Sequence, residues 1–215
     1  MSTDRPRRPA LLGPAALSHT PGGVDPAERA RAAHTTAWVL VEGARATDDP
    51  EVAERVLHLA DEHGLELLAE LWSDSPADSL PGALWRLYAL RSWVRADPSG
   101  AARQFSAGRR ATPVLEVLAG VAEPPGPEQV LQMLDDVLTG VSRGDFAVTL
   151  ERAAAFARVV AAGRADMSAD LADFPSDPAD EGDDEHALVR SAARLLRTAE
   201  QLEAAADHWR QGRMR

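Results

Sequence analysis

The amino-acid sequence predicts an all-α fold: an irregular multi-helix bundle of about eight helices, then an acidic linker and a C-terminal helix with a heptad pattern. Three observations support this prediction. The chain is rich in Ala, Leu, Arg and Glu, which are strong helix formers. Proline follows aspartate or threonine at places that suit helix starts. Valine is scattered rather than alternating, so no strand is predicted.

The helix boundaries follow from capping residues. An Asp or Thr side chain before a proline is a good N-cap, and proline costs nothing at the first helical position. The predicted starts of this kind are Asp25–Pro26, Asp49–Pro50, Asp97–Pro98 and Thr112–Pro113. Glycines at which the apolar periodicity lapses predict left-handed C-terminal caps, namely Gly64, Gly108, Gly140 and Gly163. The resulting helices are 26–46, 50–63, 65–73, 81–96, 98–107, 113–122, 127–140, 145–163 and 186–210.

The helix at 81–96 is predicted to be the central one, because apolar residues cover most of its circumference. Other apolar residues are expected to pack around it: Trp38, Leu67, Leu68, Leu71, Trp72, Val130, Leu134, Leu138, Leu150, Phe156 and Val159. A helical-repeat solenoid is the alternative architecture, since two Asp-Pro starts lie 48 residues apart. Few other positions match between the two segments, which favours a single-core bundle.

Length and composition fit one globular core with an appendage. The chain has 215 residues, of which 45% are hydrophobic and 27% charged. The absence of cysteine excludes disulfides and thiolate chemistry. All 23 basic residues are Arg, while Lys, Asn and Ile are absent, which is typical of a GC-rich genome, and we expect an actinobacterial source. We divide the chain into a disordered tail (1–25), a helical bundle (26–164), an acidic flexible linker (165–185) and an amphipathic helix (186–211).

The net charge of −11 is concentrated in the predicted linker, where residues 165–185 hold nine acidic residues and no base. Such a surface disfavours nucleic acid and anionic membranes as partners. No stretch offers the roughly 18 apolar residues that a spanning helix needs, so we expect a soluble cytoplasmic protein without a membrane partner. A twin-arginine export signal at Arg7 and Arg8 is an open alternative, although the apolar region that should follow is missing.

The C-terminal helix carries the clearest geometric signal. Large apolar residues recur every seven positions with alanines midway between them, which is an a/d heptad pattern. This stripe is the predicted interaction surface and consists of Leu188, Ala192, Leu195, Ala199, Leu202, Ala206 and Trp209. Because the stripe must be buried, we expect the chain's own bundle, a second copy or another protein to cover it.

Motifs for chemistry are scarce. The chain lacks Gly-rich phosphate loops, zinc-protease motifs and nucleophile elbows, and we predict no catalytic residue, cofactor or metal. His58 and Glu62 share a helical face, but they leave a metal site short of ligands. His34, Trp38 and Glu42 lie on one stripe of the first helix, where the pattern favours a packed histidine with a hydrogen-bond partner over the flank of a pocket. The segment 103–123 is the best helix–turn–helix candidate, yet its second helix offers no side chain suited to base edges.

These observations favour a non-catalytic helical interaction or regulatory adaptor protein. Its partner would be a protein, or a second copy, bound through the C-terminal helix. The alternative is a small-ligand-binding helical protein or enzyme. Its pocket would be lined by Trp38, Trp72, Trp85 and Trp93, with Arg86, Arg91 or Arg95 binding an anion.

Overall fold

The computed structural model describes residues 25–42, 64–111, 125–138, 145–173 and 181–214, with backbone alone at 170–173 and 181–185. These residues contain seven α-helices and no strand, which confirms the predicted all-α class. The helices are α1 (Pro26–Glu42), α2 (Leu65–Trp72), α3 (Leu80–Ala96), α4 (Pro98–Ala111), α5 (Pro127–Leu138), α6 (Phe146–Asp173) and α7 (Glu181–Arg210). The predicted helices 50–63 and 113–122 lie outside the described residues, as does the predicted tail apart from Asp25.

Aspartate caps begin three of the helices. The Ala27 N–H donates to Asp25 Oδ1 at 2.9 Å, and the Gly100 N–H donates to Asp97 Oδ1 at 2.8 Å. Both predicted Asp-Pro starts in the described residues are therefore confirmed. Asp145 caps α6 in the same way, accepting from the Ala147 N–H at 2.9 Å. Each carboxylate satisfies a backbone donor that has no partner within its helix and lies at the positive end of the helix dipole.

Helix α3 is central, as predicted, because it contacts each of the other six helices. In a solenoid each helix pair would contact only its neighbours, so the solenoid alternative is wrong. The predicted core residues around α3 are buried or half-buried with one exception. Leu67 is 46% exposed, since α2 has its buried residues Leu68 and Trp72 on another face. The buried indole of Trp72 donates its Nε1–H to Thr36 Oγ1 at 3.0 Å, so it leaves no unpaired donor in the core.

Helices α4 and α6 cross at two glycines. A Cβ added to Gly108 would lie 1.8 Å from the Val159 carbonyl oxygen, and one added to Gly163 would lie 1.8 Å from the Gln104 carbonyl oxygen. Only glycine permits this backbone contact. The prediction that Gly108 and Gly163 end their helices is therefore wrong: both lie inside helices, and their small size serves packing.

The long helices α6 and α7 form an antiparallel hairpin. Helix α6 continues to Asp173 and α7 begins at Glu181, so the prediction of an extended linker over 165–185 is wrong at both ends. Residues 174–180 lie outside the described part of the chain. The charge-based prediction failed because α7 covers one face of the extended α6, burying Ser168 and Ala192 and offsetting the repulsion among the carboxylates.

The hydrophobic core unites all these helices. It includes Trp72, Leu84, Leu87 and Phe156 from the bundle together with Leu202 from α7. None of the described helices is both long enough and apolar enough to cross a membrane.

Candidate functional site

The predicted interaction stripe on α7 lies against the rest of the chain. Ala199, Leu202 and Ala206 are fully buried in the core, and Ala192 is buried as well. The remaining members, Leu188, Leu195 and Trp209, are half-buried. The chain's own helices therefore cover most of this stripe.

Trp209 anchors the end of α7 in an aromatic cluster. Its ring centroid lies 5.0 Å from that of Phe146 in an edge-on arrangement and 5.7 Å from that of Trp38. Contacts of this kind stabilise by about 0.5–1.5 kcal/mol beyond the area they bury. The last predicted interface residue is thus engaged within the bundle.

Ion pairs fix the register of the hairpin. Glu203 accepts two hydrogen bonds from Arg158, at 2.7 Å from Nε and 2.5 Å from Nη2. Seven residues further along each helix, in opposite directions, Arg210 forms a similar bidentate pair with Glu151. The hydrogen bond from Arg210 lowers the pKa of Glu151, partly opposed by burial. The hydrogen bond to Glu203 raises the pKa of Arg158, also opposed by burial.

A second apolar stripe on α7 faces solvent. Val189 is 50% exposed and Leu196 is 41% exposed, and Ala193 between them is also exposed. The three residues follow the i, i+4, i+7 spacing, so they lie on one side of the helix. At 100° per residue, this outer stripe is centred about a quarter of a turn from the buried heptad.

Three arginines border the outer stripe. Arg190, Arg194 and Arg197 repeat the same spacing one position later and are all exposed. Within the described residues, none of them forms an ion pair or a hydrogen bond through its guanidinium. The middle of the hairpin therefore presents an apolar strip beside a row of arginines that pair with no acidic side chain among those the structure describes.

The outer stripe was missed in the sequence prediction, although a signal for it exists. The heptad assigns Leu188 and Leu195 to the buried seam, and each is followed by another large apolar residue, Val189 or Leu196. Two such adjacent pairs widen the apolar face beyond what one neighbouring helix covers. The pairs, more than the heptad itself, indicate a second contact surface.

The predicted tryptophan-lined pocket is not assembled. Trp72 is fully buried, whereas Trp38 packs on Trp209 at the end of the hairpin. Trp93 lies near Phe156, with a centroid distance of 6.4 Å, and the guanidinium of Arg164 lies 4.7 Å above its ring. Trp85 is half-buried and has Arg86 beside it at 5.8 Å. These rings belong to separate packing contacts.

The arginines of that predicted pocket are engaged in structural contacts. Arg91 Nε and Arg95 Nη2 both donate to the carboxylate of Asp135, at 2.5 and 2.7 Å. Arg86 donates to Gln201 Oε1 and to the Gly82 carbonyl, each at 2.7 Å, and burial lowers the pKa of its guanidinium. They join α3 to α5 and to α7, and are not available to clamp an anion.

The described residues contain no group of three His, Asp or Glu side chains close enough to hold a metal ion. His34 is half-buried on α1 and Glu42 is exposed at its end. His58 and Glu62 lie outside the described residues. Of the helix–turn–helix candidate 103–123, only the part up to Ala111 is described, where Arg103, Arg109 and Arg110 are exposed.

No protein-family model, no curated protein and no solved structure matches this chain.

Proposed function

We propose that this chain is a non-catalytic interaction protein that binds an amphipathic helix of another protein on the outer stripe of α7. The observation that carries the proposal is the exposed strip Val189, Ala193 and Leu196 on a helix whose other side is packed on α6. The proposal moves the contact surface from the buried heptad to the adjacent face. The heptad residues hold the surface in place.

Charge selects the chemistry of the partner. Arg190, Arg194 and Arg197 lie along one edge of the strip and have no acidic neighbour within ion-pair distance among the described residues. A helix with leucines along one face and glutamates along the flank would cover the apolar strip and pair with these arginines. Such complementarity raises the association rate and fixes the orientation of the partner.

A second copy of the chain fits this surface less well. In an antiparallel pair of α7 helices, the same flank of each helix would meet its counterpart. The arginine rows of the two copies would then face each other, three from each chain. Like charges brought together in this way oppose association.

Two designed peptides test the proposal. Both form the same leucine-faced helix, but one carries glutamate along its flank and the other carries lysine. Fluorescence anisotropy with the full chain should show saturable binding of the glutamate peptide, weakened by added salt, and much weaker binding of the lysine peptide.

Variants of the chain locate the contact. Leu196→Glu and Arg197→Glu should each weaken binding of the glutamate peptide, by about tenfold or more for Leu196→Glu. Val148→Glu is the matched control, because Val148 is exposed to nearly the same extent as Leu196, at 42% against 41%, but lies near the start of α6, away from the outer stripe. The proposal is wrong if both peptides bind equally, if neither binds, or if Leu196→Glu binds like the unmodified chain. Self-association of the full chain that Leu196→Glu abolishes would assign the stripe to a second copy instead.

A further inference from the structure

A cavity of about 610 Å³ lies where the end of α3, helix α4, the start of α5 and the first half of α6 meet. Its volume is within the range of about 300–1,000 Å³ that is usual for small-molecule sites. It is separate from the outer stripe of α7, and no tryptophan lines it. It is therefore a different site from the pocket predicted from the sequence.

Part of the cavity lining is apolar. Val94 from α3, Phe105 from α4 and Leu131 from α5 contribute to its wall. The Phe105 ring stacks on Phe156 with a centroid distance of 5.6 Å and an interplanar angle of 22°, so its position is fixed by the core. A preformed apolar wall binds hydrocarbon with little rearrangement.

Charged side chains also line the cavity. They belong to Arg109, Glu128 and Arg152. Arg152 is half-buried, and no acidic group lies within ion-pair distance of it among the described residues. A guanidinium facing a cavity is well suited to a carboxylate, which accepts two parallel hydrogen bonds from it.

We propose that this cavity binds a small monocarboxylate with an apolar body. The carboxylate would pair with Arg152, and the hydrocarbon would lie on Phe105 and Leu131. A single guanidinium pairs with a single carboxylate, which favours a monocarboxylate. This binding does not depend on the proposed contact at α7.

The test compares octanoate with octanol, which shares its chain length but has no charge. Calorimetric titration of the full chain should show octanoate binding at least about tenfold more tightly than octanol, since a guanidinium hydrogen-bonds a carboxylate more strongly than it hydrogen-bonds a neutral hydroxyl. Octanoate should also raise the melting temperature, because it binds the folded state alone.

Three variants make the test specific. Arg152→Met keeps the apolar stem but removes the charge, and should reduce the affinity for octanoate to that for octanol. Arg103→Met is the control, because Arg103 is an exposed arginine on α4 that does not line this cavity. Ala102→Trp fills the cavity from its exposed edge and should abolish binding of both molecules.

Equal affinity for octanoate and octanol would overturn the proposal. So would octanoate binding that survives Arg152→Met, or that persists in a folded Ala102→Trp variant, because the ligand would then bind elsewhere. Leu196→Glu should leave octanoate binding unchanged, so failure at one surface is distinguishable from failure at the other.

Discussion

Gly108 and Gly163 allow α4 and α6 to touch through their backbones. A methyl group at either position would overlap a carbonyl oxygen of the other helix, at 1.8 Å from Val159 O or Gln104 O. Backbone atoms cannot move aside as the end of a flexible side chain can. The two helices can therefore approach this closely only because each glycine has a hydrogen atom in place of a side chain.

Gly108→Ala tests this contact, since helix propensity and packing predict opposite signs. Inside a helix, alanine is favoured over glycine by about 1 kcal/mol. Overpacking at the crossing should outweigh this gain and destabilise the fold by about 1–3 kcal/mol or more, measured by urea unfolding. Ser106→Ala is the control, because Ser106 is exposed on the same helix, and it should gain the helix propensity of alanine without adding an atom at the crossing. A stabilised Gly108→Ala protein would contradict the close crossing.

Asp135 joins α3 to α5 by accepting from two arginines on successive turns of α3. Burial raises the pKa of its carboxyl, but the hydrogen bonds and charges of Arg91 and Arg95 outweigh this, so the pKa lies below its ordinary value. Arg91 is the more buried partner, with 12% of its side chain exposed. Removing the carboxylate would leave that guanidinium without its counterion.

Asp135→Ala should destabilise the protein by about 1–3 kcal/mol at neutral pH, the usual cost of losing hydrogen bonds to a charged group. Asp136→Ala is the matched control, because Asp136 hydrogen-bonds only Gln132 in the described structure, at 2.9 Å. A carboxyl whose pKa is lower in the folded state than in the unfolded state stabilises the fold at pH values above its unfolded pKa of about 4. This contribution is lost as the pH falls through the pKa of the folded state. The gap in unfolding free energy between Asp135→Ala and the unmodified protein, measured by chemical unfolding at a series of pH values, should therefore close below about pH 4. A gap that persists at low pH would show that the arginine pairs are not its cause.

Helix α7 has an inner and an outer apolar face, and shortening a side chain on each face should change stability by different amounts. Leu202 is fully buried in the core, whereas Leu196 is 41% exposed. Leu202→Ala should cost about 2–5 kcal/mol because it leaves a cavity. Leu196→Ala should cost under about 0.5 kcal/mol because water already reaches the side chain. Urea unfolding of the two variants distinguishes them, and similar losses would contradict the burial pattern.

The sequence predicted helices well wherever a local signal decides them. The Asp25 and Asp97 caps are hydrogen bonds between residues within one helical turn, so the local sequence decides them. Helix α3 is apolar almost all round, so its central place follows from its composition. Helix ends decided by tertiary contacts were missed. Gly163 resembles a terminator until α4 is known to cross it, and the acidic continuation of α6 resembles a linker until α7 is known to cover it.

The candidate site could likewise be predicted only as far as local signals determine it. The heptad identified a face of α7 that must be buried, but the choice between its own bundle and a partner depends on where α6 lies. The exposed Val189 and Leu196 could be recognised only once the inner stripe had been assigned to the core. The cavity near Arg152 brings together residues from four helices, and no spacing in the sequence predicts such a meeting.

Across the protein, the half of the hairpin that contains the end of α7 is part of the core, whereas the half that contains the start of α7 is not. Ala199, Leu202, Ala205 and Ala206 belong to the core cluster, but no apolar residue of α7 before Leu195 packs in it or against it among the described residues. Arg86 also ties α3 to Gln201. The bundle therefore needs α7 to complete its core, and deletion of residues 198–215 should abolish the cooperative thermal transition.

Amide hydrogen exchange followed along α7 should show this division directly. Amides at 199–206 should exchange only through global unfolding, because exposing them requires the core to open. Amides at 187–193 should exchange through local opening at lower free energy, because α6 provides their main packing. Added denaturant should raise exchange steeply at 199–206 and weakly at 187–193. Uniform protection along the whole helix would mean that residues 187–193 are held as firmly as the core. Absence of protection at 199–206 would mean that α7 is not part of the folded unit.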